Sequence, residues 1–292
     1  MRATLKRRQL YRRITIVVAV VAILVVLVVG FYLAELESTA NDARIGDPVN
    51  AFDLAALHRL SIPPYGQPPS SADLKAVTDY SGQAWTGKPL VVFIGADFCP
   101  YCAAERWPVI LAFMRFGNFT GLKYMTSRPS EGDYATFTFS NMSYTSKYVN
   151  FEAYEARDRS DNPYQTVPSN YSSVWSQYGE GFPFMDFGNK FIISGSLIDP
   201  SILIWGNWVQ LEDAIGNGTT TGTAITEAAN LVTALVCKLT GSQPSSVCDQ
   251  NPINDVTSLL VYTNSSPGGV SQPLAQAYTA ISGASPGRRD FD

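Results

Sequence analysis

The stretch Pro89-Leu-Val-Val-Phe-Ile-Gly-Ala-Asp-Phe-Cys-Pro-Tyr-Cys-Ala-Ala-Glu-Arg-Trp-Pro-Val109 sets the terms on which this chain folds. Residues 90–94 are apolar without alternation, so the segment reads as a buried strand with two dry faces. After a short polar step, Ala103, Trp107, Ile110, Leu111 and Met114 fall on one side at helical spacing. Cys99-Pro100-Tyr101-Cys102 therefore stands where a strand hands over to a helix. The first N–H groups of a helix lack intrahelical partners and carry a partial positive charge, which stabilises a thiolate on Cys99. Cys102, three residues on, is placed to close a disulfide once Cys99 has attacked. Pro100 suits the first turn because its missing N–H has no partner to lose.

With those residues in place, the sequence resembles the thioredoxin-like superfamily. Ala96-Asp97-Phe98-Cys99-Pro100-Tyr101-Cys102 matches that superfamily's strand–motif–helix signature, and Cys-Pro-Tyr-Cys is the glutaredoxin form of the motif. The wider run from Phe93 to Trp107, with Arg115-Phe-Gly117 beyond it, looks like a mostly archaeal, membrane-anchored family catalogued as domain of unknown function 929. The resemblance implies an α/β fold, with a thioredoxin-like central sheet flanked by helices and a β-rich insertion, behind one N-terminal transmembrane helix. It implies a second landmark too. In the apolar strand–turn–strand run from Gly181 to Ile193, Pro183 stands where the superfamily has a cis proline facing the two cysteines. The superfamily usually has a small or polar residue before that proline, and here it is Phe182. On this reading Cys99 and Cys102, with Pro183 beside them, are catalytic. Tyr101 and Phe182 contact substrate, and Asp97 is a proton relay or a loop carboxylate.

Residues 14–34 are uncharged over 21 positions, enough to cross a bilayer at 1.5 Å per residue. Arg2, Lys6, Arg7, Arg8, Arg12 and Arg13 precede this run, and Glu35 and Glu37 follow it. The positive-inside rule puts residues 1–13 in the cytoplasm and the rest of the chain outside. A cleaved leader ending near Ser38-Thr-Ala40 competes, but the apolar run exceeds the usual signal core and favours an uncleaved anchor. The 6 basic residues before the first acid leave 15 of the 21 for the rest, against 25 acids, a net of about −10. Such an acidic body argues against nucleic acid and anionic lipid as partners. Composition, 46% hydrophobic and 12% aromatic, is that of a chain with a core.

An outside location agrees with an even cysteine count in two close pairs, 99/102 and 237/248. It also permits use of five Asn-x-Ser/Thr sequons, at Asn118, Asn141, Asn170, Asn217 and Asn264, of which composition alone accounts for two or three. Residues 35–71 read as a stalk and a Pro-rich collar, and residues 72–264 as the extracytoplasmic domain, opening on a short helix over 72–79 capped by Ser70 or Ser71. Gly117 is expected to end the motif helix, and residues 121–126 to form the next parallel strand. The insertion spans about 127–181, with residues 135–139 and 148–154 alternating at period two as a hairpin. Helices are expected over 201–215 and 224–239. Cys237 and Cys248 match no redox spacing and read as a structural disulfide stapling the loop between them. Residues 265–292 are a Gly/Pro/Ser-rich tail.

Other chemistries fare worse. His58 is the single histidine, so neither a metal centre nor a Cys-His hydrolase finds its donors, and no metal or cofactor is expected. The expected partners are protein dithiols or disulfides and an unidentified redox partner, besides the membrane at 14–34. The rival class is a non-catalytic surface scaffold or interaction module in which Cys99–Cys102 is a permanent staple. Glu105 and Arg106 read as a solvated helix face and Trp107 as core.

Overall fold

The computed structural model describes residues 13–32, 43–80, 82–203 and 206–260. The basic residues before Arg13, the stalk at 35–42, Asn264 and the tail lie outside the described residues. The chain divides into two units, Met1–Arg44 and Ile45–Asp292. The described residues of the first include α1 (Arg13–Tyr32), a helix 20 residues long and apolar enough to span a membrane.

The second unit is a mixed α/β domain. It opens with α2 (Ala51–Leu60), whose cap Asn50 accepts from the Asp53 N–H. A Pro-rich collar without regular structure follows, then α3 (Ser71–Ala76). Ser70 caps α3 in a reciprocal box with Asp73, and the helix is shorter than expected because the chain turns extended at Val77. The chain leaves it directly as β1 (Val77–Asp79). After β2 (Leu90–Ala96) comes the motif helix α4 (Pro100–Met114). Gly117 does not end that helix. Arg115 caps it, and Gly117 opens β3 (Gly117–Thr120) opposite Ser146. Then come β4 (Lys123–Thr126), β5 (Ala135–Thr138), β6 (Ser143–Ser146), β7 (Asn150–Arg157) and α5 (Ser169–Trp175). The hairpin β8 (Phe184–Phe187) and β9 (Phe191–Ser194) turns at Gly188 and Asn189, both at positive φ as a tight two-residue turn requires. The described residues end with α6 (Trp208–Gly216), α7 (Thr220–Leu239), α8 (Ser245–Cys248) and α9 (Ile253–Leu259).

The main sheet has the order β1-β9-β8-β2-β7, with β7 parallel to β2 and the other neighbours antiparallel. Alternation along β2 explains its unbroken apolar run. Val91 and Phe93 enter the large core shared with α4 and α7, while Val92 and Ile94 enter a smaller core on the other side. Each fully buried side chain of this kind contributes roughly 1.5–3 kcal/mol. The Tyr-rich segment before β8 packs against the second core, placing Tyr171, Trp175 and Tyr178 against Val92, Ile94, Phe184 and Ile192.

Other expectations from the sequence differ from the fold. The parallel partner of β2 is β7; residues 123–126 pair antiparallel with β5 instead. The expected hairpin between 135–139 and 148–154 does not form. Its two halves are β5 and β7, each claimed by another strand, because β7 is the element long enough to cover β2. The helix expected over 201–215 is a 3₁₀ turn at Pro200–Leu203 followed by α6, which starts where Asn207 and Gln210 form a capping box. The last long helix begins at Thr220, capped by Thr219, ahead of the expected start at 224.

Candidate functional site

Cys99 sits at the N-cap of α4 in extended conformation, Pro100 occupies the first turn, and the Cys102 N–H donates to Cys99 Sγ at 3.4 Å. Both thiols are free. The two sulfurs pack with Ala96, and Phe98 and Phe182 cover them from outside, leaving Cys99 5% exposed and Cys102 fully buried. Phe182 precedes a cis peptide to Pro183 and packs against Trp175, whose Nε1 donates to the Gly181 carbonyl. The Pro183 carbonyl accepts from the Gly195 N–H. Tyr101 lies on the rim at 52% exposure. Arg128 stacks over Phe98.

The two thiols are unequal. A hydrogen bond from the Cys102 side chain lowers the Cys99 pKa, against the effect of burial and with help from the Cys102 N–H, the Arg106 charge and the Tyr101 backbone. Burial pushes the Cys102 thiol well up, and the Cys99 sulfur adds to it.

Beneath them lies a charged cluster that the sequence reading missed. Glu105 and Arg106, expected on a solvated helix face, are both fully buried. Arg106 donates from Nε and Nη2 to the two oxygens of Glu155 at 3.1 and 2.7 Å, and from Nη2 to the Ala96 carbonyl at 3.0 Å. Asp97 is its more distant partner at 3.5 Å. Glu155 on β7 lies opposite Gly95, where a Cβ would come within 3.1 Å of Glu155 Oε2, so the glycine leaves room for the carboxylate. Burial, and then the Glu155 charge, raises Asp97 to about 7 in spite of Arg106. Burial likewise raises Glu105 to about 7. Glu105 Oε2 accepts from Ser196 Oγ and the Leu197 N–H, just past Gly195. Glu155 had a sequence signal: it shares a strand face with the buried Phe151, and an inward acid needs a partner. Arg106 lies four residues after Cys102 on the same helix, the matching signal. Trp107 is core, as expected, with Nε1 donating to the Ala135 carbonyl.

The remaining candidates lie elsewhere. Cys237 and Cys248 form a disulfide with Cα atoms 5.6 Å apart. Asn118, Asn141, Asn170 and Asn217 are exposed. His58 is exposed on α2 and lines a groove of about 400 Å³ with Leu54, Met114, Asn118 and Phe119, which does not include the cysteines. Among the described residues no group of three or more His, Cys, Asp or Glu is placed to hold a metal ion.

Fold and site together define an α/β domain carrying an asymmetric dithiol at a helix N-terminus over a buried ion-pair cluster. A family model described as domain of unknown function (DUF929) matches residues 78–238, more than half of the chain, and the chain belongs to that family. Neither the curated proteins nor the solved structures contain a match.

Proposed function

We propose that this is a membrane-anchored, extracytoplasmic thiol–disulfide oxidoreductase acting on protein disulfides through Cys99-Pro-Tyr-Cys102. The observation that carries the proposal is the thiol asymmetry at the N-terminus of α4: an acidified Cys99 that receives the Cys102 N–H, and a fully buried Cys102 held as a thiol. A strand–Cys-x-x-Cys–helix unit and a proline-led hairpin on the same sheet are the parts the thioredoxin-like resemblance calls for, and both support it. The basic residues before α1 support a cytoplasmic N-terminus.

In the reducing direction the Cys99 thiolate attacks one sulfur of a client disulfide, and a mixed disulfide forms as the first client thiolate leaves. Cys102 loses its proton, with Asp97 as acceptor, and attacks Cys99 Sγ. The second client thiolate leaves, the client has gained two electrons, and Cys99–Cys102 is oxidised. A redox partner then restores the dithiol. The reverse order oxidises a client dithiol. Phe182 and Tyr101 frame the approach to Cys99.

The test is a redox titration of the full chain in detergent, reading Cys99 and Cys102 by alkylation and mass spectrometry. A potential of about −120 to −180 mV marks an oxidase or isomerase, and one of about −270 mV a reductase. A Cys99 that reacts only after unfolding overturns the proposal. The near-complete burial of both sulfurs favours the second reading in that case, a surface module with the pair as an interior staple.

A further inference from the structure

We infer that Arg106, clamped by Glu155, is a positioning cation for the dithiol, and that its charge, held beneath the two sulfurs, favours the Cys102 thiolate during turnover. The inference rests on the oxidoreductase reading and concerns what lets the buried cysteine ionise.

One helical turn separates Cys102 from Arg106, so both project from the same face of α4. The guanidinium is tied to the Ala96 carbonyl at 3.0 Å, and Ala96 is the residue that packs with both sulfurs. Glu155 takes two of its N–H groups in a bidentate pair, which fixes the plane of the group. Nη1 is buried and takes no part in that pair or in any other protein hydrogen bond. The cation is thus held from one side only, by Glu155 and the Ala96 carbonyl.

Cys102 must become a thiolate to attack the mixed disulfide, and full burial opposes this. The charged and titratable groups around the guanidinium are Glu155 from β7, Asp97 at the end of β2 with Asp158 beyond it, and Cys99 and Cys102 from α4. Arg106 favours the thiolate at both cysteines, whereas Glu155 disfavours it at Cys102. The pair thus has opposed effects on one sulfur. Arg106 supplies charge, and Glu155 holds it in place while tempering it. No bond at Arg106 forms or breaks.

The experiment uses the full chain in detergent and three variants: Arg106→Met with Glu155→Gln, which removes both charges together; Glu155→Gln alone; and Arg106→Lys. The readouts are the pH midpoint of Cys99 alkylation by iodoacetamide and the equilibrium constant of the Cys pair against a dithiol buffer. The double variant is expected to raise the midpoint by about one pH unit. It should also destabilise the reduced form about tenfold, which is about 30 mV toward more negative potential for a two-electron couple. Glu155→Gln should shift both readouts the opposite way, and Arg106→Lys should keep most of the wild-type midpoint. Opposite signs from removing the whole ion pair and from removing Glu155 alone are not what loss of packing produces. Shifts of the same sign, or no shift in a folded double variant, overturn the inference. If the double variant does not fold, Glu155→Gln decides alone, with a lower midpoint supporting the inference and an unchanged or higher one overturning it. A wild-type Cys99 that is inert at every pH defeats the oxidoreductase reading itself, and this inference with it.

Discussion

Cys99 and Cys102 carry the same functional group three residues apart, yet the fold gives them opposite tendencies. Cys99 caps a helix and accepts from the Cys102 N–H, while Cys102 is sealed one step inside. A difference of this kind acts on rate because the thiolate is the reactive species. At pH 7, iodoacetamide is expected to label Cys99 at least about tenfold faster than Cys102, which should react only after denaturation. Peptide mass spectrometry of the reduced full chain reads this directly, and equal labelling of the two in the folded protein counts against it. This pair was legible in the sequence because its chemistry is local: a spacing, a proline and a change of periodicity. Arg106 and Glu105 were misread for the converse reason. A charged residue on a helix defaults to the solvated face; Arg106 is buried against Glu155 pointing inward from the partner strand, and Glu105 against Ser196 and the Leu197 N–H. A partner 49 positions away leaves little local trace.

At the scale of elements, the collar shows how an irregular segment is held on a domain. Arg115, at the end of α4, reaches across it. Nε donates to the Ser61 carbonyl at 3.2 Å, Nη1 donates to Asn230 Oδ1 at 2.9 Å and Thr233 Oγ1 at 2.7 Å, and the guanidinium lies 4.1 Å from the centre of the Tyr65 ring. Asn230 of α7 then donates to the Tyr65 and Gln67 carbonyls, so the collar's backbone acceptors are met without regular structure. Arg115→Ala is expected to cost about 3 kcal/mol, since it strands several buried acceptors and removes a ring contact. Limited proteolysis should then cut within residues 61–67 before any other site in the second unit, and an unchanged cleavage pattern speaks against the tether. The second staple is covalent. Cys237–Cys248 closes a loop of 11 residues, and replacing both with Ala should lower stability by about 3 kcal/mol on the chain-entropy account. Denaturation with and without reductant, compared with the double variant, measures it. The pairing of 237 with 248 was readable from spacing. The strand pairings were not, because alternation tells which residues share a face and says nothing of which strand lies alongside. Residues 135–139 and 148–154 are both strand, as their pattern required, and they part company because β2 needs a long parallel neighbour and finds it in β7.

For the whole molecule, the legible part was a chain with an N-terminal apolar helix and an α/β body organised on one strand–helix junction. The cover on the second face of the sheet was not legible. It comes from a polar, Tyr-rich segment whose aromatic rings are half-buried, a composition that signals surface as readily as core. Several carboxyls are held inside the second unit. Asp97, Glu105 and Asp186 are each raised by burial, from 3.8, 4.5 and 3.8 respectively, to about 7. A group whose folded pKa lies above its unfolded value stabilises the fold fully below the unfolded value, and loses that contribution as pH climbs through the folded one. The domain is therefore expected to be more stable at pH 5 than at pH 7.5, the reverse of a protein held by surface ion pairs. Each such group contributes at most about 1.4 kcal/mol per pH unit within its window. The measurement is the thermal midpoint of the full chain across pH 4.5–8, with Cys99–Cys102 oxidised so that the Cys99 thiol does not titrate. Glu105→Gln should flatten the profile, because the amide keeps an acceptor for Ser196 and Leu197 and carries no charge at any pH in the range. A midpoint that rises steadily from pH 5 to pH 7.5 in the wild type would mean that these carboxyls are ionised inside the fold and stabilised by partners there. The buried cluster beneath the dithiol would then carry a net negative charge and oppose the Cys99 thiolate.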